Sequence, residues 1–277
     1  LKADENAEES YWFFFRLSGV RGQTCRLVIE NAGGAFRLAE RKATDIPGPY
    51  QDYRACGSAN LEAWSRVPTE FEDGALVVTV TPDSDVFYLA SFPPYSYERH
   101  NQLIAKAALS PHVAATTLGT TPDGNAIDLL QIGTARPGKK SCWITARQHP
   151  SETMTAWFAE GFVERLIDPD DFLARKLLKK CVFYVVPCMN PDGARKGKTR
   201  RNGGNRDLNR EWVEPSADAS PEVFHVRNLM HETGVDFYMD VHGDEELPYV
   251  FLGGPLEVPS LTSEMSENFY AFEKALS

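Results

Sequence analysis

Two textures run along this chain, and together they predict an α/β domain on a mixed, largely parallel sheet flanked by helices, preceded by a small antiparallel β-sandwich domain. The first texture is a series of short β-rich stretches broken by Gly, Pro and Asp turn residues, from Tyr11 to about Phe92. The second starts after Pro93, where apolar strand-like runs alternate with segments of helical spacing. The boundary implied is residues 1–93 for the β-sandwich and 94–277 for the α/β domain.

In the first domain the strand-like stretches are Tyr11 to Leu17, Cys25 to Asn31 and Leu76 to Thr81. The aromatic run Tyr11, Trp12, Phe13, Phe14 and Phe15 predicts a strand buried on both faces. In the second domain, Leu103, Ile104, Ala107 and Ala108 mark a helix over Ser96 to Ala108. Ile127 to Ile132 and Cys142 to Ala146 read as strands. Met154, Trp157, Phe158, Phe162 and Leu166 form an apolar stripe on a helix over Glu152 to Ile167. Cys181 to Pro187 reads as a central strand. Ser220 and Pro221 start a helix that Gly234 ends, and the strand Val235 to Val241 follows.

Composition narrows the functional classes. With 29 Lys plus Arg against 39 Asp plus Glu, the net charge of −10 opposes phosphate backbones and argues against nucleic-acid binding. No apolar run is long enough to span a membrane, and no signal peptide is visible in these residues. Five scattered cysteines suit a reducing, cytoplasmic setting and thiols without a role.

Among six histidines, two stand apart. His149 lies just past an apolar strand and three residues before Glu152, and His242 ends another strand about ninety residues later. Residues three apart share a face where a helix begins, so one pair and one distant histidine can supply the three protein ligands of a catalytic zinc. A bare His-x-x-Glu is weak evidence; His100, His112, His225 and His231 read as ordinary side chains.

The stretch between strengthens the case: Met189, Asn190, Pro191, Asp192, Gly193, then Arg200, then Asp207, Leu208, Asn209, Arg210, and finally Asp240, Val241, His242, Gly243. With His-Pro-Ser-Glu at 149–152, these motifs resemble the M14 zinc carboxypeptidases, and specifically their cytosolic carboxypeptidase branch with an N-terminal β domain. The resemblance implies one zinc ion per chain on His149, Glu152 and His242, Arg200 stabilising an oxyanion, Asn209 and Arg210 gripping the substrate's terminal carboxylate, and Asp207 orienting the first histidine. It implies a peptide or protein C-terminal tail as substrate. Seven basic residues between Arg195 and Arg210 (Arg195, Lys196, Lys198, Arg200, Arg201, Arg206, Arg210) would attract an acidic tail, or about four or five of them are simply a solvated loop. The resemblance is to a family whose eukaryotic members trim C-terminal glutamates, and so implies Glu-bearing tails.

Two departures accompany the resemblance. Ser151 stands where the family usually has Gly, a change expected to touch only the turn. The family's general-base glutamate is expected beyond Ser277, so the carboxypeptidase domain should be incomplete at its C-terminus; Glu245 and Glu246 do not match that base. Two other readings remain: an amidase of the aspartoacylase type acting on N-acyl amino acids, and a zinc-binding homologue without catalysis.

Overall fold

The computed structural model describes the chain except residues 6, 8, 35–49, 51, 245–248, 256, 257 and 277. Seven strands come first: β1 (Phe14–Ser18), β2 (Cys25–Ile29), β3 (Cys56–Ser58), β4 (Ser65–Arg66), β5 (Thr69–Glu72), β6 (Ala75–Val80) and β7 (Val86–Ala90). They form two antiparallel sheets, ordered β1-β7-β3-β4 and β2-β6-β5. Asp73 and Gly74, at φ 50° and 81°, make the two-residue hairpin that sets the β5–β6 register. Leu76, Val78 and Val80 alternate on β6 and pack with Leu89 of β7, Phe13 and Tyr11, so one apolar cluster is sandwiched between the sheets.

The aromatic run departs from the expectation of burial on both faces. Tyr11 and Phe13 are buried, but Phe14 is 46% exposed and β1 alternates between exposed and half-buried positions. β1 is an edge strand, and only one of its faces meets the other sheet, so Phe14 lies against Tyr88 and Trp64 on the outer side.

The second part contains α1 (Tyr97–Ala108), β8 (Val113–Thr120), β9 (Ala126–Ile132), β10 (Lys140–Ala146), α2 (Thr153–Ile167), α3 (Phe172–Lys180), β11 (Cys181–Val186), α4 (Pro191–Lys196), α5 (Pro221–Thr233), β12 (Phe237–Val241) and α6 (Ser263–Leu276). Its sheet runs β12-β10-β11-β9-β8. β10 pairs in parallel with β11 and β12, while β9 and β8 complete the sheet antiparallel. Nearly every residue of β10 and β11 is buried, as strands covered on both faces require. Cys142, Ile144, Phe183 and Val185 face Leu103 of α1 and Val163 of α2. Trp143, Val182, Tyr184 and Val186 face Val223 and Val226 of α5. This two-residue alternation gives the sheet a core on each side. β8 and α3 are not announced by the sequence pattern: β8 is an Ala- and Thr-rich, mostly exposed edge, and Leu173 and Leu177 of α3 remain half in solvent.

The consequence for function is geometric. The parallel strands β10, β11 and β12 all end on the same side of the sheet, where α/β proteins gather their ligands.

Candidate metal centre

The segment leaving β10 opens on a strained residue. Arg147 has φ 57° and is buried; its guanidinium donates to the carbonyl oxygens of Tyr95 at 2.8 Å and Pro150 at 3.2 Å. A non-glycine residue in that region costs free energy, which the surrounding hydrogen bonds offset. The turn that follows brings His149 and Glu152, 2% and 3% exposed, onto the sheet's carboxyl end. Glu152 caps α2 without using its side chain in the cap, so its carboxylate turns into the cleft.

Glu152 is the hub. Its Oε1 lies 2.6 Å from His149 Nδ1, its Oε2 lies 3.0 Å from His242 Nδ1, and Oε2 also accepts from the Gly243 backbone N–H at 3.0 Å. The two rings are 4.8 Å apart between centroids. One ligating atom from each of His149, Glu152 and His242 can be chosen so that all lie within 4.8 Å of one another. The other nitrogen of each ring meets a carboxylate: His149 Nε2 is 3.2 Å from Asp207 Oδ1, and His242 Nε2 is 2.9 Å from Asp240 Oδ2. Carboxylates behind ligand imidazoles fix ring orientation and raise basicity.

The electrostatics agree with a site for a dication. Burial by itself pulls the His242 ring down, but hydrogen bonds to Asp240 and Glu152 outweigh it and push the ring up to about 10. His149 is raised in the same way by Asp207 and Glu152, against its burial. Burial pulls Glu152 up, and the two histidines hold it at about 2. Three carboxylates thus stabilise two protons on two imidazoles, and a divalent cation can replace those protons charge for charge. The donor set of two imidazole nitrogens and one carboxylate suits zinc with an open fourth position.

The remaining candidates fall into two groups. Arg200 Nε donates to Asp207 Oδ2 at 2.7 Å, so one carboxylate holds both Arg200 and His149. With both partners opposing its burial, Asp207 stays well below the usual carboxylate range. Asn209 sits on the turn that Asp207 caps and lines a cleft of about 910 Å³ with Asp240, His242 and Met154. Arg210 is exposed, donates to the Asn209 carbonyl at 3.0 Å, and is not among the cleft-lining residues. Glu245 and Glu246 lie outside the described residues.

Other participants escaped the sequence reading. Asp240 is two residues before His242 on a strand and therefore on the same face, a signal the sequence does carry. Gln148 donates to Asp240 and accepts from Trp212 at 2.9 Å, bracing the second histidine from the first histidine's loop. Tyr53, Arg54, Arg66 and Phe92, all from the first domain, form part of the cleft wall, and no local pattern could reveal that. Among the described residues no helix is long and apolar enough to cross a membrane.

The chain was compared with known proteins. A family model described as zinc carboxypeptidase (Peptidase_M14) matches residues 100–277, and one described as cytosolic carboxypeptidase N-terminal domain matches residues 1–92. The chain is 42% identical over 273 residues to "Uncharacterized protein ZMO1242" of Zymomonas mobilis, covering 99% of this chain and 69% of that protein. It is 30% identical to cytosolic carboxypeptidase 2 of Danio rerio, covering 89% of this chain but only 38% of that relative. A metallo-carboxypeptidase from Pseudomonas aeruginosa, solved with (2-guanidinoethylmercapto)succinic acid, superimposes with a TM-score of 0.90 at 36% identity, over 99% of this chain and 71% of that one.

Proposed function

Because this chain belongs to the M14 zinc carboxypeptidase family and carries the N-terminal domain of its cytosolic branch, we propose that it is the metal-binding part of a metallocarboxypeptidase that removes C-terminal residues from peptides or proteins. The observation that carries this reading is the cluster itself: two imidazole Nδ1 atoms turned toward one carboxylate, each ring backed by a second carboxylate, at the edge of a cleft.

In this reading His149, Glu152 and His242 hold one zinc ion. A zinc ion held by these three side chains would supply Lewis acidity and a water of pKa near 7. Asp207 keeps the His149 ring in the tautomer that presents Nδ1, and Asp240 does the same for His242. Arg200, held by Asp207, offers a fixed positive donor where charge develops on the carbonyl oxygen. Asn209 and Arg210 grip the terminal carboxylate, for which the guanidinium fork is suited. Arg210 is exposed beside the cleft-lining Asn209, and this grip confines cleavage to chain ends.

An acidic tail is the preferred substrate in this proposal. Within the basic loop, Lys196 is paired with Asp123 at 2.6 Å, Arg200 with Asp207, and Arg206 with Glu211 at 3.9 Å, so those charges are spoken for. The support comes instead from Arg54 and Arg66 on the cleft wall, where the Arg66 guanidinium donates to the Arg54 carbonyl oxygen at 2.5 Å. Asp52 and Asp244 line the same cleft and oppose them, so the expected preference is modest. The match of residues 1–92 favours a peptidase over an aspartoacylase-type amidase. A cytoplasmic location goes with this reading, supported by the names of the relatives.

The test uses the full-length protein and peptides ending in Glu, Leu or Lys. Zinc-dependent release of the last residue is expected, fastest for Glu. Hydrolysis of N-acyl amino acids without peptide cleavage would sink the peptidase reading, and preference for Lys would sink the acidic tail.

A further inference from the structure

Arg200 sits on a loop that has little regular structure of its own, yet its backbone is fastened from two sides. From one side comes Asp4, almost 200 residues earlier in the chain. Its Oδ1 accepts from the Thr199 N–H at 2.8 Å, and its Oδ2 accepts from the N–H groups of Arg200 at 2.7 Å and Arg201 at 2.8 Å. Three successive amides pointing at one anion make a nest, and here the chain supplies its own carboxylate to fill it. From the other side comes Ser151, the residue standing in the middle of His-Pro-Ser-Glu. Both its backbone N–H, at 3.2 Å, and its hydroxyl, at 2.7 Å, donate to the Thr199 carbonyl. Asp4 and Ser151 are 9% and 1% exposed, so water does not compete freely for these bonds.

The hydroxyl of Ser151 therefore does more than complete a turn. It ties the loop that carries His149 and Glu152 to the loop that carries Arg200. Asp207 closes the circuit on the side-chain level, bridging His149 and Arg200. Gly193 lets the loop approach: a Cβ there would sit 2.7 Å from the Arg201 carbonyl oxygen.

We infer that Asp4 and Ser151 are positioning residues for Arg200, so that the N-terminal domain takes part in transition-state stabilisation without touching the substrate. This rests on the proposed role of Arg200 in the carboxypeptidase reading. A donor that acts only where charge develops must be placed closely, and a displacement of about 1 Å can cost on the order of a hundredfold in rate.

The experiment has two readouts. In the full-length protein, Asp4→Ala and Ser151→Ala are expected to lower kcat by about tenfold to a hundredfold, with KM and zinc content unchanged. Combined with Arg200→Ala, Asp4→Ala is expected to cause no further loss, because its effect runs through that side chain. An equal additional loss in the Arg200→Ala background, or a fall in zinc content that tracks kcat, overturns the proposal. Amide hydrogen exchange is the second readout and needs no turnover: Thr199, Arg200 and Arg201 should exchange faster in Asp4→Ala while the sheet is unaffected, and unchanged exchange also overturns it. Should Asp4→Ala fail to fold, Asp4→Asn keeps the shape and one acceptor oxygen and carries the same tests at smaller amplitude. A full-length protein that hydrolyses no C-terminal residue defeats the carboxypeptidase reading, and the exchange measurement then decides the fastening by itself.

Discussion

The segments that follow β10 and β12 deliver the same side chain to the same place, yet they are built differently. His149 is 2% exposed on a segment fastened by Arg147, Gln148, Ser151 and the Asn190 amide, which donates to the Gln148 carbonyl at 3.0 Å. The His242 side chain is 29% exposed, and among the described residues its strand pairs only with β10. A central strand is hydrogen-bonded along both edges and covered on both faces, so the residue at its end inherits a fixed position. An edge strand leaves its last residue open to the cleft. The contrast is one of packing: one ring is set in the framework, and the other borders the cleft.

The most severe test of that contrast is removal of each ring. His149→Ala and His242→Ala should both abolish equimolar zinc, measured by elemental analysis after dialysis. His149→Ala should also destabilise the fold by about 3–5 kcal/mol, because Glu152 and Asp207 lose a buried partner. His242→Ala should cost far less in denaturant unfolding. Equal destabilisation by the two variants would erase the distinction.

A second test asks whether the framework side carries a buried acid at a cost. Glu222, at the start of α5, is fully buried; burial raises its carboxyl to about 7 from an ordinary 4.5, despite hydrogen bonds from Asn202. A carboxyl whose folded value is raised binds its proton more tightly in the native state. The contribution of this group is therefore greatest below about 4.5, falls as pH rises toward 7, and then levels off, a loss of about 3 kcal/mol. Glu222→Gln should flatten that part of the stability-versus-pH curve, followed by urea unfolding from pH 4.5 to 7.5. An unchanged slope would show that the group titrates normally.

The smallest expected effect sharpens the comparison through two glycines. A Cβ on Gly193 would lie 2.3 Å from the Pro150 ring and 2.7 Å from a backbone carbonyl, neither of which can yield. A Cβ on Gly243 would lie 2.1 Å from the Met154 sulfur, the far end of a flexible side chain. Gly193→Ala should cost about 2–3 kcal/mol and Gly243→Ala about 1 kcal/mol in chemical denaturation. The reverse order would mean that the β12 side is the rigid one.

How far these features could be read in advance follows the range of the interaction. The strand runs of β10, β11 and β12 are written locally, and so are their ends; for β10 and β11, burial on two faces demands unbroken apolar residues. His149, Glu152 and His242 could be picked out because they stand where those runs stop. The edge strand β8 was hidden, since an exposed edge needs no apolar period. The outer face of the aromatic run was misjudged for a related reason: composition tells that Phe14 is apolar but not that β1 is an edge.

What the sequence alone determined is the set of chemical groups and their order: two histidines and a glutamate at strand ends, an arginine and a carboxylate between them, and a β domain in front. What only the tertiary structure decided is who stands behind whom. Asp240 behind His242, Asp207 shared by His149 and Arg200, the first-domain arginines on the cleft wall and Asp4 beneath the Arg200 loop all join segments remote in the chain. Periodicity reports whether a residue is buried and where a strand ends. The partner of a polar group depends on which strands lie side by side, and that follows from packing the whole chain.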